Sequence, residues 1–332
     1  MNIFDNYKNV IRKAVENDPI KSKQTFSLNE SLLDRNREFL SSLKNELPGR
    51  ELSEDMKTLA RGMGVAVTFD YQPLGSHPDF IHLKGTDMVE EHWIISGFID
   101  VKKSTRLFNR FTKGTVRLIT ESIIRASILA VNLCGGYVHR VQGDGLMVYF
   151  GGKSIDKKKA VEDALKSFSM ISYFVKNDLK DFFEENGVQD IHTRAGLDLG
   201  HTNQVDWFYS GVGDSGEVTT CSLHTSLAPK MQANADDNGM VVGHNIATNL
   251  GRPKYFEQKT KEIHDYEDGR LYHQYNFDWE RYLVDIGLAV QNHAGVLVLT
   301  LNAFPDPKRD SRDLYPIASK SKPYFSRCTQ GN

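Results

Sequence analysis

Apolar positions in the first 47 residues recur at helical spacing. Leu32, Leu33, Phe39, Leu40 and Leu43 fall on one face, and Pro48-Gly49 interrupts the pattern. Such a face either packs on its own domain or serves as a dimerisation arm; periodicity does not choose. Residues 70–87, with two prolines and two glycines, read as a structured linker. The pattern changes at Trp93. Residues 93–101, WIISGFIDV, are β-branched and aromatic and predict a buried strand. Leu107, Phe111, Leu118, Ile119, Ile123, Ala126 and Val131 predict a helix over 106–133, stopped by Gly135-Gly136. YVHRVQGDGLMVYF then reads as two alternating strands around Gly143-Asp144-Gly145, with Asp-Gly supplying the positive φ of a tight turn. Val161, Ala164, Leu165, Phe168, Ile171 and Val175 mark a second amphipathic helix over 155–180. Further along, the pattern gives strands near 192–199 and 205–212, a helix near 222–235 and a strand at Met240–Val242. A helix near 244–250 and a strand near 271–277 follow. The order β-α-β-β-α-β with additions predicts an α+β fold of the ferredoxin-like split βαβ plan: one mostly antiparallel sheet with helices on one face.

Composition narrows the function classes. Of 332 residues, 41 are Lys or Arg and 43 are Asp or Glu, a net charge of −2 that excludes a generally basic nucleic-acid binder. Cys134, Cys221 and Cys328 cannot form a paired framework and have no CxxC spacing, which points to a reducing compartment and away from a zinc finger. The amphipathic N-terminus lacks the apolar stretch of a secretory signal. The apolar stretch Tyr282–Phe304 is interrupted by Asp285, Gln291, Asn292 and His293 and makes a poor bilayer span. We therefore expect a cytoplasmic protein with neither membrane nor nucleic-acid partner.

Two aspartates stand out within the expected plan. Asp100 ends the first strand, in GFIDVKKST, and Asp144 sits at the tip of the hairpin, in QGDG. The split βαβ plan puts that strand beside that hairpin, so the two acids meet at one end of the sheet. Paired carboxylates suit hard divalent cations, and two such ions activate an attacking oxygen and neutralise a leaving phosphate. Lys102, Lys103, Ser104 and Thr105 are expected to open the next helix, where free N–H groups, hydroxyls and lysines hold phosphate. Taken alone, an Asp before a helix is ordinarily a cap and an Asp-Gly ordinarily a turn. The pair in this topology is what points to chemistry.

These segments resemble a known family. FIDVKKST is similar to the first metal motif of class III nucleotide cyclases, and GYVHRVQGDGLMVYF to the second. TRAGLDLG is similar to the strand that follows. SLAPKMQ occupies the helix that in the family carries an Asn and, four residues later, an Arg. The resemblance covers residues 85–278. It implies a cyclase catalytic domain there, an N-terminal helical region and linker in 1–84, and an extension of unknown role in 279–332. It also implies two Mg²⁺ or Mn²⁺ ions held by Asp100, Asp144 and the Ile99 carbonyl. The 3′-hydroxyl of a nucleoside triphosphate then attacks its own α-phosphate, releasing diphosphate.

The departures from the family are specific. Four residues before Asp144 the family reads purines with Lys or Glu; here stands Arg140, which offers only donors. The second base-reading position falls at Thr219 or Thr220. Ser226 and Lys230 replace the Asn and Arg. This combination is most similar to the bacterial Pycsar antiphage pyrimidine cyclases. By that resemblance UTP is the expected substrate, with CTP the alternative, and the cyclic product activates a separate effector protein. The resemblance also implies a homodimer with composite sites. A purine cyclase, or a degenerate domain that only binds nucleotide, stays open.

Overall fold

The computed structural model describes residues 3–20, 30–48, 54, 57–58, 60, 73–188, 191–259, 264–265, 271–293 and 295–300. Helices α1 (Asp5–Glu16) and α2 (Glu30–Glu46) come first. Then follow β1 (Val89–Glu91), β2 (Ile94–Lys102), α3 (Lys113–Leu133), the hairpin β3 (Tyr137–Gln142) and β4 (Gly145–Phe150), α4 (Lys157–Tyr173) and α5 (Lys180–Glu185). The second half holds β5 (His192–Gly200), β6 (Asp206–Val212), β7 (Ser215–Cys221), α6 (Leu223–Asn234), β8 (Met240–Gly243) and α7 (His244–Leu250). After these come β9 (Phe256–Gln258), β10 (His264–Asp265), β11 (Leu271–Tyr272), β12 (Gln274–Phe277), α8 (Trp279–Asp285), β13 (Ala289–Gln291) and β14 (Leu297–Leu299).

The main sheet has seven strands in the order β3-β4-β2-β5-β8-β12-β9. Its first four positions are the split βαβ arrangement, with β2 antiparallel to both β4 and β5. The additions continue it through a parallel β5–β8 pair and two antiparallel pairs. Alternation along the strands sorts side chains between two faces. Ile95, Ile99 and Val101 of β2, Leu146, Val148 and Phe150 of β4, and Ala195, Leu197 and Leu199 of β5 enter one large core with α3 and α4. The intervening residues face the other way. There Ile94, Met147 and Tyr149 join Phe80, Tyr137, Trp207 and Val218 in a second cluster.

That second cluster is covered by a three-stranded sheet, β1-β6-β7. The sequence reading anticipated β6 but not β1 or β7. A two-residue turn, Gly213-Asp214, joins β6 to β7, since Val212 pairs with Ser215. Other boundaries also move. Residues 104–109 form a 3-10 turn, and α3 starts only at Lys113, because the Thr112 hydroxyl accepts the Thr115 N–H and caps it there. The Lys102–Thr105 segment therefore does not open the long helix. In the hairpin the left-handed residue is Gly143 (φ 62°), not Asp144.

Both N-terminal helices pack on their own chain. Tyr7, Val10, Ile11, Ala14 and Val15 of α1 and Leu40 and Leu43 of α2 enter the large core. A Cβ on Gly114 would come within 2.7 Å of Leu40, so α2 approaches α3 closely. Buried Asp18 accepts hydrogen bonds from the N–H and hydroxyl of Thr112, 2.9 Å each. Trp279, Tyr282, Leu283, Leu288, Ala289 and Leu297 extend the same core. The side chains of Leu32 and Leu33, and residues 301–332 with Phe304 and Cys328, lie outside the described residues. Among the described residues no helix is long and apolar enough to cross a membrane.

Candidate active site

Asp100 and Asp144 arrive at one end of the main sheet from adjacent strands. Ile99 pairs with Leu146, so Asp100 stands across from Gly145 and next to the turn that holds Asp144. The approach is close: a Cβ on Gly145 would lie 2.8 Å from the Ile99 carbonyl oxygen and 3.1 Å from the Asp100 Cβ. Asp144 has no hydrogen bond or ion pair to a described residue. Asp100 is held instead. Its register partner Arg194 donates to Oδ2 at 3.0 Å, and Gln232 of α6 donates to Oδ1 at 2.6 Å. Asp100 thus has a guanidinium and an amide as partners.

The donor set is all oxygen, two carboxylates and the Ile99 carbonyl against the gap that Gly145 leaves, and it fits a hard divalent cation. No group of three or more His, Cys, Asp or Glu side chains with metal-binding geometry occurs among the described residues. Mg²⁺ is commonly held by one or two carboxylates together with substrate phosphates and water.

Lys102 closes β2, and Lys103 takes a left-handed conformation (φ 64°) that is costly for a side chain with a Cβ. Lys102 Nζ lies 2.6 Å from Asp237, whose carboxyl is lowered below the usual range chiefly by that hydrogen bond; Lys103 lies 3.9 Å from the same acid. Ser104 and Thr105 start the 3-10 turn beyond them.

Arg140 sits on β3 at a bulge. Val138 pairs with Val148 and Arg140 with Met147, so His139 is the extra residue. Arg140 grips Glu217 of β7 with two donors: Nε reaches Oε2 at 2.7 Å, and an Nη reaches Oε1. Behind them His139 is wholly buried, and neither of its ring nitrogens has a hydrogen-bond partner among the described residues. Burial, and then the Arg140 charge, lower its pKa to about 3, so it is neutral. Thr220 accepts or donates within a hydroxyl chain, Tyr149–Thr220–Thr225–Ser96, with spacings of 3.2, 2.9 and 2.8 Å. Thr219 is half-buried beside it.

Helix α6 lies on this face of the sheet, opposite α3 and α4, so the helices are not confined to one face as the sequence led us to expect. A Cβ on Gly196 of β5 would come 2.2 Å from the Ala228 carbonyl and 2.3 Å from the Gln232 nitrogen, so the helix rests directly on the strand. Ser222 caps it. Ser226 and Lys230 are exposed, and Ser226 donates to the Ser222 carbonyl at 3.0 Å. At about 100° per residue, Lys230 projects about 200° round the helix from Gln232, the residue that faces Asp100 of its own chain. The first turn is pinned by a buried network. His224 meets Asp198 at 2.8 Å, and Asp198 also accepts from Tyr272 and from the Leu199 N–H. Burial raises the Asp198 carboxyl.

Sequence reasoning missed Arg194, Gln232, Glu217 and Asp237. Arg194 had a usable signal, because the split βαβ plan pairs its strand with that of Asp100. Gly213-Asp214 between alternating segments could likewise have disclosed β7 and with it Glu217.

No protein-family model matches the chain. Among solved structures, the adenylyl cyclase CyaB from P. aeruginosa is similar at a TM-score of 0.49 and 15% identity, over 57% of this chain and 95% of that one. By sequence the chain is 34% identical over 222 residues to a cytidylate cyclase of Staphylococcus aureus, covering 63% of this chain and 52% of the relative. It is 31% identical over 191 residues to a cytidylate cyclase of Escherichia coli, covering 55% and 40%. The chain thus spans about half the length of the curated relatives it matches. The sequence similarity to cytidylate cyclases agrees with the nucleotide-cyclase resemblance read from the motifs, and the strand order is the α+β split βαβ arrangement expected with it.

Proposed function

We propose that this chain houses a cyclase unit that converts a pyrimidine nucleoside triphosphate into its 3′,5′-cyclic monophosphate and diphosphate. The observation that carries the reading is the meeting of Asp100 and Asp144 beside the Ile99 carbonyl at one end of the sheet. The sequence reading put UTP first. The names of the curated relatives favour CTP, and CTP is the substrate we propose.

In this reading Asp100, Asp144 and the Ile99 carbonyl hold Mg²⁺ or Mn²⁺, which when bound supplies charge neutralisation at the triphosphate and acidifies the 3′-hydroxyl. That hydroxyl forms the new P–O bond at the α-phosphorus, the bond to the β-phosphate bridge breaks, and the hydroxyl proton leaves to solvent. Lys102 and Lys103 exchange Asp237 for the terminal phosphates, with Ser104 and Thr105 as added donors. Arg140 and Thr219 face the base. Lys230 neutralises charge growing on the α-phosphoryl group, and Ser226 donates a hydrogen bond to it. Because Lys230 projects away from the Asp100 of its own chain, it serves the site of a second copy. The working unit is then a symmetric homodimer with two composite sites. The product acts as a messenger for a separate effector in antiphage defence.

Incubation with Mn²⁺ and each of the four ribonucleoside triphosphates, followed by mass identification of products, tests the reading. Cyclic CMP should dominate, with cyclic UMP second. A dominant cyclic AMP, or tight nucleotide binding with no cyclic product, overturns it in favour of a purine cyclase or a degenerate binding domain respectively.

A further inference from the structure

Glu217 is the unassigned residue in the best position to matter. It lies on β7 two residues before Thr219, so the period of the strand puts both on one face. It is the register partner of Ser210, at the middle of the β6–β7 hairpin. Gly75 backs it, with room for a Cβ only 3.3 Å from the Glu217 Cβ. Its side chain is four-fifths buried, and its one cation among the described residues is Arg140. The neutral His139 ring, whose Nε2 stands 3.5 Å from Oε2, adds no charge. The Arg140 side chain, by contrast, is 42% exposed. Two of its donors are spent on Glu217, which fixes the plane of the guanidinium, and the remaining N–H groups are left for a ligand.

The pair therefore presents a row of donors ending in an acceptor. A pyrimidine edge has three positions. Cytosine offers acceptor, acceptor, donor: O2, N3 and the amine on C4. Uracil offers acceptor, donor, acceptor: O2, the N3–H and O4. Only cytosine meets the Arg140–Glu217 row at all three. With uracil in the same pose, the N3–H points at a guanidinium donor and O4 at a carboxylate. A site built on base hydrogen bonds rejects such a mismatch strongly, because its own polar groups are left unpaired.

We infer that Glu217 is a specificity-determining residue that accepts the C4 amine of cytosine and so selects CTP over UTP, while it holds Arg140 in the plane that meets O2 and N3. The inference rests on the proposed reading of Arg140 as the base contact in a pyrimidine cyclase. It goes beyond that reading by assigning the choice between the two pyrimidines to one carboxylate.

The test compares kcat/KM for CTP and UTP in the wild type and in Glu217→Gln, whose amide can donate to O4. The CTP-to-UTP ratio should fall on the order of 10- to 100-fold, with cyclic UMP formation rising in absolute terms. The wild type is also assayed with the ribonucleoside triphosphate of 2-pyrimidinone, which lacks the C4 amine. Its KM should exceed that of CTP on the order of tenfold or more. A wild type that cyclises CTP selectively, with Glu217→Gln keeping the same ratio, sinks the inference and leaves the pyrimidine reading intact. So does a 2-pyrimidinone substrate as good as CTP, which decides the matter even where the variant fails to fold. A wild type that makes no cyclic pyrimidine nucleotide overturns the reading and the inference together.

Discussion

The two faces of the seven-stranded sheet are built on opposite principles. On the helical face, successive inward residues of β2, β4 and β5 are aliphatic or aromatic and share one core with α1 to α4. On the other face, the same strands present Ser96, Asp100, Arg194 and Asp198, each bonded to a partner from α6 or a neighbouring strand. The first face is non-directional packing, stabilised roughly in proportion to the apolar area buried. The second adds directional groups to an apolar cluster around Tyr149 and Trp207. Each group there is worth little net if bonded and costs much if left alone. The polar groups are thus gathered on one side of the sheet, which shares them with an apolar cluster of its own, while the other side is apolar packing.

Substitutions on each side should separate the two roles. The largest effect belongs to the carboxylates. Asp144→Asn should cut cyclisation by at least about 10²-fold, the scale on which removal of one group that stabilises transition-state charge is felt. Its melting temperature should stay close to that of the wild type, because Asp144 has no described partner. Near-full turnover in a folded Asp144→Asn protein would take the residue out of the site.

Complementation is next in size. Asp100→Ala and Lys230→Ala are each expected to be inactive. Mixed and allowed to exchange, about half the dimers carry one lesion-free site, so activity should recover to roughly a quarter of wild type. Recovery of nothing in demonstrably mixed dimers means that Lys230 does not serve the partner's site.

On the helical face the expected readout is stability alone. Phe168 is fully buried against Gly97 and Phe150. Phe168→Ala should cost about 3–5 kcal/mol, measured by denaturant titration, with substrate preference unchanged in the fraction that stays folded. A shift in the CTP-to-UTP ratio would show that the faces are not independent.

The smallest effect concerns pH. Burial holds His139 near pKa 3 and His77 near pKa 4, against 6.5 when exposed. Below about 6.5 the unfolded chain binds protons that the folded chain refuses, so each group withdraws stability as pH falls, by about 1.4 kcal/mol per pH unit, until its folded pKa is reached. Above 6.5 neither group makes a contribution. His139→Phe fills the same space with an apolar ring and removes two unpaired nitrogens. It should leave stability at pH 7.5 unchanged or higher. Between pH 6 and 4 it should lose stability less steeply than the wild type. An identical slope means that His139 titrates in the folded protein.

The contrast between the faces also explains what the sequence disclosed. Alternation and helical period are one-dimensional signals, and they placed β2, the β3–β4 hairpin, α4, α6 and α7 near their observed bounds, and α3 with a start seven residues early. Asp100 and Asp144 were legible because a strand end and a hairpin tip are local features that one topological rule brings together. Glu217 and Gln232 were not. Glu217 meets Arg140 only because a second sheet folds over β3, and β7 is rich in Gly, Ser and Thr, without apolar alternation to announce it. Gln232 lies two residues beyond Lys230, and its partner Asp100 is known only once α6 is seen resting on β5. Arg194 falls between these cases, since period two in TRAGLDLG already sets it on the face opposite Ala195 and Leu197.

The bare Gly196 on β5 acts as a spacer made of nothing. The distance between helix and sheet is set by the side chain it lacks, and the atom a methyl would strike first, after the Ala228 carbonyl, is the backbone nitrogen of Gln232. The residue that steadies Asp100 therefore also has almost no clearance beneath it. Any bulk added under the helix is transmitted to the carboxylate across a single residue, so a position with no chemistry of its own holds a veto over the acid that has it.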